Sequence, residues 1–202
     1  MFPDGDPSLT WSIRPPDSQV CGIGELFTNS EADDFRFVDD MLADLEKDQC
    51  VDRGHIFATG FSMGGYFSSH LACQRPELLR AAAPQSGGTY KGACKGRVPM
   101  LIIHGTGDIG VDLACGLETR ALWLERNGCS AQIEREDIKH GHCERHVGCR
   151  ERGQVTLCLL DDMCHDVAGR GTGALLCGWD FGGGPDYEDA TALIWRFFEA
   201  HW

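Results

Sequence analysis

The sequence predicts an α/β protein built on a mostly parallel sheet with helices on both faces. Three observations carry this. Short apolar, β-leaning runs alternate with segments whose apolar residues recur every three or four positions. One junction between the two kinds of segment, HIFATGFSMGGYFSSHLAC at residues 55–73, holds the pattern G-x-S-x-G from Gly60 to Gly64. A chain of 202 residues with 42% hydrophobic content suits a single domain, residues 1–202, with a substantial core.

The elements follow in order. Residues 1–30 are rich in Pro, Gly, Asp and Ser and read as loop. A helix is expected from Glu31, because Phe35, Val38, Met41, Leu42 and Leu45 form one apolar stripe among acids. Ser30 is its candidate cap, with Asp33 three residues on. His55 to Thr59 reads as a strand and Met63 to Cys73 as a helix, stopped before Pro76. Arg80 to Pro84 and Pro99 to His104 are expected strands. Leu117 to Arg126 is an expected helix, with Gly128 as its stop. Ser130 to Glu134 and Gln154 to Leu160 are expected strands, and the polar stretch 139–153 between them a loop. Residues 169–185 are glycine-rich and read as a long surface loop. Tyr187 to His201 closes the chain as a helix buried through Ala190, Leu193, Ile194, Phe197 and Phe198.

Composition excludes several function classes. The formal charge is −13, without a basic run, so neither nucleic acid nor an anionic membrane is an expected partner. No apolar run is long enough to span a bilayer, and MFPDGDPSLT lacks the features of a signal peptide. Eleven cysteines favour an oxidising compartment and leave at least one thiol unpaired within the chain.

A serine hydroxyl becomes a useful nucleophile only with a base to take its proton and donors to hold the oxyanion. A sharp strand-to-helix turn lifts Ser62 clear of the sheet at the positive end of a helix, and Gly60 and Gly64 keep the turn tight. The amide of Met63 is then one oxyanion donor. An acid and a histidine are expected in loops after later strands. Asp108 lies four residues beyond PMLIIH, and His165 five residues beyond Leu160. His165 is assigned as base and Asp108 as the group that orients it. Asp112 competes for the acid role. His104 reads as a structural histidine, Asp161 and Asp162 as surface charges, and Asp166 as too close in sequence to orient His165.

GFSMGGYFSSHLACQRPELLRAAAPQSGG, IIHGTGD, LERNGC and DMCHDVAG resemble the polyhydroxybutyrate depolymerase-like esterases, a branch of the α/β-hydrolases that includes feruloyl esterases. EADDFRFVDDMLADLEKDQCVDRGHIFATG, GWDFGGGP and the final helix are similar to the same family, so the resemblance covers most of the chain. It implies a serine carboxylic-ester hydrolase of α/β-hydrolase fold, with Ser62, Asp108 and His165 as triad, no cofactor, an acyl-enzyme intermediate, and a secreted or periplasmic location. Polyhydroxyalkanoate or hydroxycinnamoyl esters are the implied substrates; oligomeric state is left open. The sequence departs from the family after His165, where Asp166-Val167-Ala168-Gly169 replaces the usual tryptophan and glycines. The family's early strands and HG-type oxyanion loop are expected upstream of MFPDG, so the domain reads as N-terminally shortened and its second oxyanion donor is unassigned.

Three further expectations concern side features. Trp179 and Phe181 line an acyl or aromatic pocket, or else pack the glycine-rich loop. His140, His142, Cys143, His146 and Cys149 have spacings that could hold zinc. The simpler reading is a disulfide-pinned loop, with Cys143–Cys149 as the candidate pair and no metal. Cys164 is expected to tie the base-bearing loop to another segment. The alternative to an esterase is a catalytically impaired remnant of the fold that acts by binding.

Overall fold

The computed structural model describes Trp11, Cys21, residues 31–169, Gly184 and residues 186–202. The expected Ser30 cap, Trp179 and Phe181 lie outside the described residues. Among the described residues the helices are α1 (Glu31–Asp48), α2 (Met63–Gln74), α3 (Leu113–Asn127) and α4 (Ala190–Glu199). The strands are β1 (Phe57–Phe61), β2 (Ala81–Gln85), β3 (Met100–Gly105), β4 (Ile133–Ile138), β5 (Gly141–His146) and β6 (Val155–Leu160).

The sheet runs in the order β1-β2-β3-β6-β5-β4. β1, β2, β3 and β6 are mutually parallel, and β5 and β4 extend the sheet as an antiparallel hairpin. Alternation along β3 sends side chains to two cores. Met100 and Ile102 pack with Val38 of α1, Tyr66, Phe67 and Leu71 of α2, and Trp123 of α3. Leu101 and Ile103 pack with Leu193, Phe197 and Phe198 of α4. Helices thus cover both faces. Helix ends follow local chemistry. The Asp112 and Asp189 carboxylates cap α3 and α4. Gly128 ends α3 at φ 61°, a left-handed conformation that disfavours a Cβ.

The expected loop at 139–153 is corrected: residues 141–146 form β5. Its sequence GHCERH shows no apolar alternation, and only Cys143 and His146 are buried, so it lacks an apolar signature. The preceding strand begins at Ile133 rather than Ser130, and β4 is nearly all exposed. Charges along such an edge discourage further strand pairing.

Four disulfides between described residues join Cys21–Cys115, Cys73–Cys94, Cys129–Cys149 and Cys143–Cys158. The expected Cys143–Cys149 pair is therefore wrong. Register places Cys143 of β5 opposite Cys158 of β6, and Cys149 instead reaches the segment after α3. Cys164 is also disulfide-bonded, and Cys50 is free and exposed. This content fits an oxidising compartment. Replacing Cys143 and Cys158 together by alanine reopens a link of sequence separation 15. The expected cost is about 3 kcal/mol, read from urea unfolding of the variant beside the wild type.

Candidate active site

β1 ends at Phe61, and α2 starts at Met63, so one residue makes the entire turn. That residue, Ser62, sits at φ 54°, ψ −116°. Such a conformation is costly for a residue with a Cβ and persists only where its surroundings fix it. The Ser62 N–H donates to the Gln85 carbonyl at 3.0 Å, and its own carbonyl accepts from the Tyr66 N–H at 3.0 Å. β2 and the first turn of α2 thereby hold the elbow from both sides.

A Cβ on Gly60 would lie 2.4–2.7 Å from the backbone of Gly64. The requirement expected at Gly64 falls elsewhere: a Cβ there would meet nothing within 4 Å, whereas one on Gly65 would lie 2.5 Å from the Gln85 carbonyl oxygen. Gly60→Ala is therefore expected to destabilise the fold by about 2 kcal/mol or more through overpacking against backbone. Gly64→Ala should be tolerated. Thermal denaturation of the two variants checks the contrast.

Three loops converge beside Ser62. The His165 Nε2 lies 2.9 Å from the Ser62 Oγ, and its Nδ1 lies 3.0 and 2.9 Å from the two carboxylate oxygens of Asp108. The tautomer that suits both contacts carries its proton on Nδ1, donates it to the carboxylate, and accepts from the serine hydroxyl. Asp108 and His165 are both buried, and the Phe61 ring packs at 4.7 Å from the imidazole. The amides of Gly110 and Val111 donate to Asp108 Oδ1 at 2.9 and 2.8 Å. The loops after β3 and β6 also lock to each other: the Gly107 N–H donates to the Met163 carbonyl, and the Asp162 N–H to Thr106 Oγ1.

Other expectations sort cleanly. Asp112 is spent as the cap of α3. His104 is fully buried and its Nε2 donates to the Val111 carbonyl at 2.9 Å, a structural role. The Asp166 carboxylate accepts from the Val167 N–H. Met63 opens α2, so its amide is among the helix N–H groups without an intrahelical partner. Gln85 was not singled out by sequence. Its carbonyl holds Ser62, and its side-chain amide donates to the Asp166 carbonyl at 3.2 Å, next to the base. Only the fold reveals this, because a lone glutamine at a strand end carries no motif. The zinc reading fails chemically: Cys143 and Cys149 are both consumed in disulfides, and no metal-holding cluster occurs among the described residues.

Burial drives the His104 imidazole below its ordinary value of 6.5, although the Val111 carbonyl and the Asp108 charge oppose the shift. For Asp108 burial raises the carboxyl, but the His165 hydrogen bond and the Val111 amide outweigh it, so the net shift is downward. In both cases the unfolded chain binds protons more readily, so stability falls with acidification. For His104 the loss begins as pH drops through 6.5, and for Asp108 as it drops through 3.8 towards the lowered folded value. His104→Gln should flatten the decline in Tm between about pH 6.5 and pH 5; an unchanged slope would assign the loss to other groups.

No family model matches the chain. It is 38% identical over 184 residues to the probable feruloyl esterase C of Aspergillus niger and 37% identical over 184 residues to feruloyl esterase C of Emericella nidulans. Each match covers 89% of this chain and 62% of the relative, so the chain spans about three fifths of the length of these relatives. Among solved structures, an acetyl xylan esterase from Aspergillus awamori superposes with a TM-score of 0.53 at 16% identity, over 64% of this chain and 61% of that one. Arabidopsis thaliana SOBER1 superposes with a TM-score of 0.51 at 13% identity, over 91% of this chain and 70% of that one. These likenesses speak to fold, which is of the α/β-hydrolase type, and in sequence the chain is similar to feruloyl esterases over about three fifths of their length.

Proposed function

We propose that this chain is a serine carboxylic-ester hydrolase acting on hydroxycinnamoyl-type esters. The observation that carries the reading is the unbroken hydrogen-bonded line from the Ser62 hydroxyl through His165 to Asp108, at 2.9 Å and 2.9–3.0 Å. In the proposed reaction Ser62 Oγ attacks the ester carbonyl while His165 Nε2 takes its proton. The tetrahedral oxyanion is held by the Met63 amide and by a second donor not assigned to any residue of this chain. Collapse breaks the ester C–O bond, and His165 returns the proton to the departing alcohol. Water, deprotonated by His165, then attacks the acyl-Ser62 carbonyl; the acyl–Oγ bond breaks, His165 returns the proton to Ser62 Oγ, and the acid is freed. Asp108 keeps the imidazole oriented and stabilises its cationic form.

The sequence relatives named feruloyl esterase support a hydroxycinnamoyl acyl group over a polyester. Trp179 and Phe181 are proposed to line the acyl pocket. The whole of 1–202 is proposed to act as one domain, in an extracellular or periplasmic setting that suits the disulfides. No cofactor is invoked, since every proton has a carrier. A fluorophosphonate probe tests the reading. Intact-protein mass spectrometry should show one adduct, mapped to Ser62 and suppressed by methyl ferulate. Labelling elsewhere, or none after incubation at neutral pH, would favour the non-catalytic remnant.

A further inference from the structure

Ser62, Asp108 and His165 all follow the C-terminal ends of the parallel strands. At the opposite end of the sheet lies a separate cavity of about 520 Å³. Arg80 precedes β2, Gln154 precedes β6, and antiparallel β5 finishes there at His146; all three line it. At about 3.3 Å per residue, strands of this length set the two regions roughly 17–20 Å apart.

The lining is unusual for this chain. Four arginines, Arg80, Arg145, Arg150 and Arg152, face one acid, Glu151, although the sequence holds 31 acidic and only 18 basic residues. Two of the four are fixed by backbone. Arg80 Nε donates to the His201 carbonyl at 2.5 Å, and an Arg152 terminal nitrogen to the Leu79 carbonyl at 3.1 Å. A guanidinium has five N–H groups, so each keeps donors to spare. Arg145 pairs with Glu134, both exposed. The Arg150 side chain has no hydrogen bond or ion pair among the described residues.

We propose that this cavity binds a small oxyanion carrying at least two negative charges, a phosphate, sulfate or polycarboxylate. Its volume lies within the roughly 300–1,000 Å³ usual for ligand pockets. The two fixed guanidinium groups are preorganised for oxygen, and Arg150 supplies a charge that no described residue pairs. The site is independent of the ester chemistry and does not rest on it.

Isothermal titration calorimetry with inorganic phosphate, sulfate and citrate, each against sodium chloride of equal ionic strength, tests it. At least one multivalent anion should give saturable binding with Kd of about 1 mM or below, while chloride gives none. The ranking of phosphate and sulfate against citrate identifies the headgroup. Arg150→Gln should weaken binding about tenfold, as expected for a charge-assisted contact, with Tm unchanged in the absence of anion. Arg145→Gln serves as a second variant should Arg150→Gln fold poorly, and should also weaken binding. Absence of saturable heat with all three anions overturns the proposal, and so does wild-type affinity in both variants.

Discussion

Ser62→Ala is expected to reduce kcat for methyl ferulate hydrolysis by about 10⁴-fold or more, to the level that binding alone can support. The substitution removes one atom, Oγ, and with it the proposed attacking group. It leaves in place the backbone bonds that hold the turn, from the Ser62 N–H to Gln85 and from the Tyr66 N–H to the Ser62 carbonyl. Alanine has the same Cβ as serine and occupies the strained φ at similar cost. Tm should therefore fall by only a few degrees, since the single bond lost is the part-buried contact between the hydroxyl and His165 Nε2. KM should change little, since the hydroxyl contributes chiefly to the transition state. Steady-state kinetics and a thermal melt on the same preparation make the check. A variant that hydrolyses the ester at the wild-type rate would remove Ser62 from the chemistry.

The second large effect is expected at Asp108. Asp108→Asn should lower kcat by about 10⁴-fold at neutral pH, because an amide can donate to Nδ1 and so favour the unproductive tautomer. Asn retains an oxygen for the Gly110 and Val111 amides, which donate to the acid at 2.9 and 2.8 Å. The loop after β3 should keep its shape. The sign of the pH effect separates this role from a structural one. With the imidazole held in the unproductive tautomer, hydroxide can replace it as the base, so the residual rate should keep rising with pH in the alkaline range. A purely structural loss would not recover. The acid limb of the stability profile should also weaken, since Asp108 no longer has a lowered carboxyl to protonate.

The candidate residues Ser62, Asp108 and His165 were legible because each sits a few residues past a strand, and the G-x-S-x-G turn has a local cause. Gly60 illustrates it: the backbone of Gly64 approaches its missing Cβ to 2.4 Å, so the glycine signals the turn directly. The apolar strands were legible for a related reason. MLIIHG in β3 is buried at every position and reads as a continuous apolar run. β5 escaped notice because GHCERH earns its place by pairing with both β6 and β4, not by its own hydrophobicity. The relation of Gln85 to Ser62 and Asp166 spans 23 and 81 positions along the chain and leaves no local trace.

By itself, then, the sequence determined the alternation of strands and helices, the strained turn at Ser62, and which acid and histidine follow the later strands. These are short-range facts, set by side-chain period, glycine geometry and helix-terminus chemistry. Tertiary structure alone decided that Cys143 bonds Cys158, that Gly65 rather than Gly64 must be small, and that four arginines surround one cavity at the far end of the sheet. Each depends on strand order and register, which bring distant segments together through pairing that no single segment encodes.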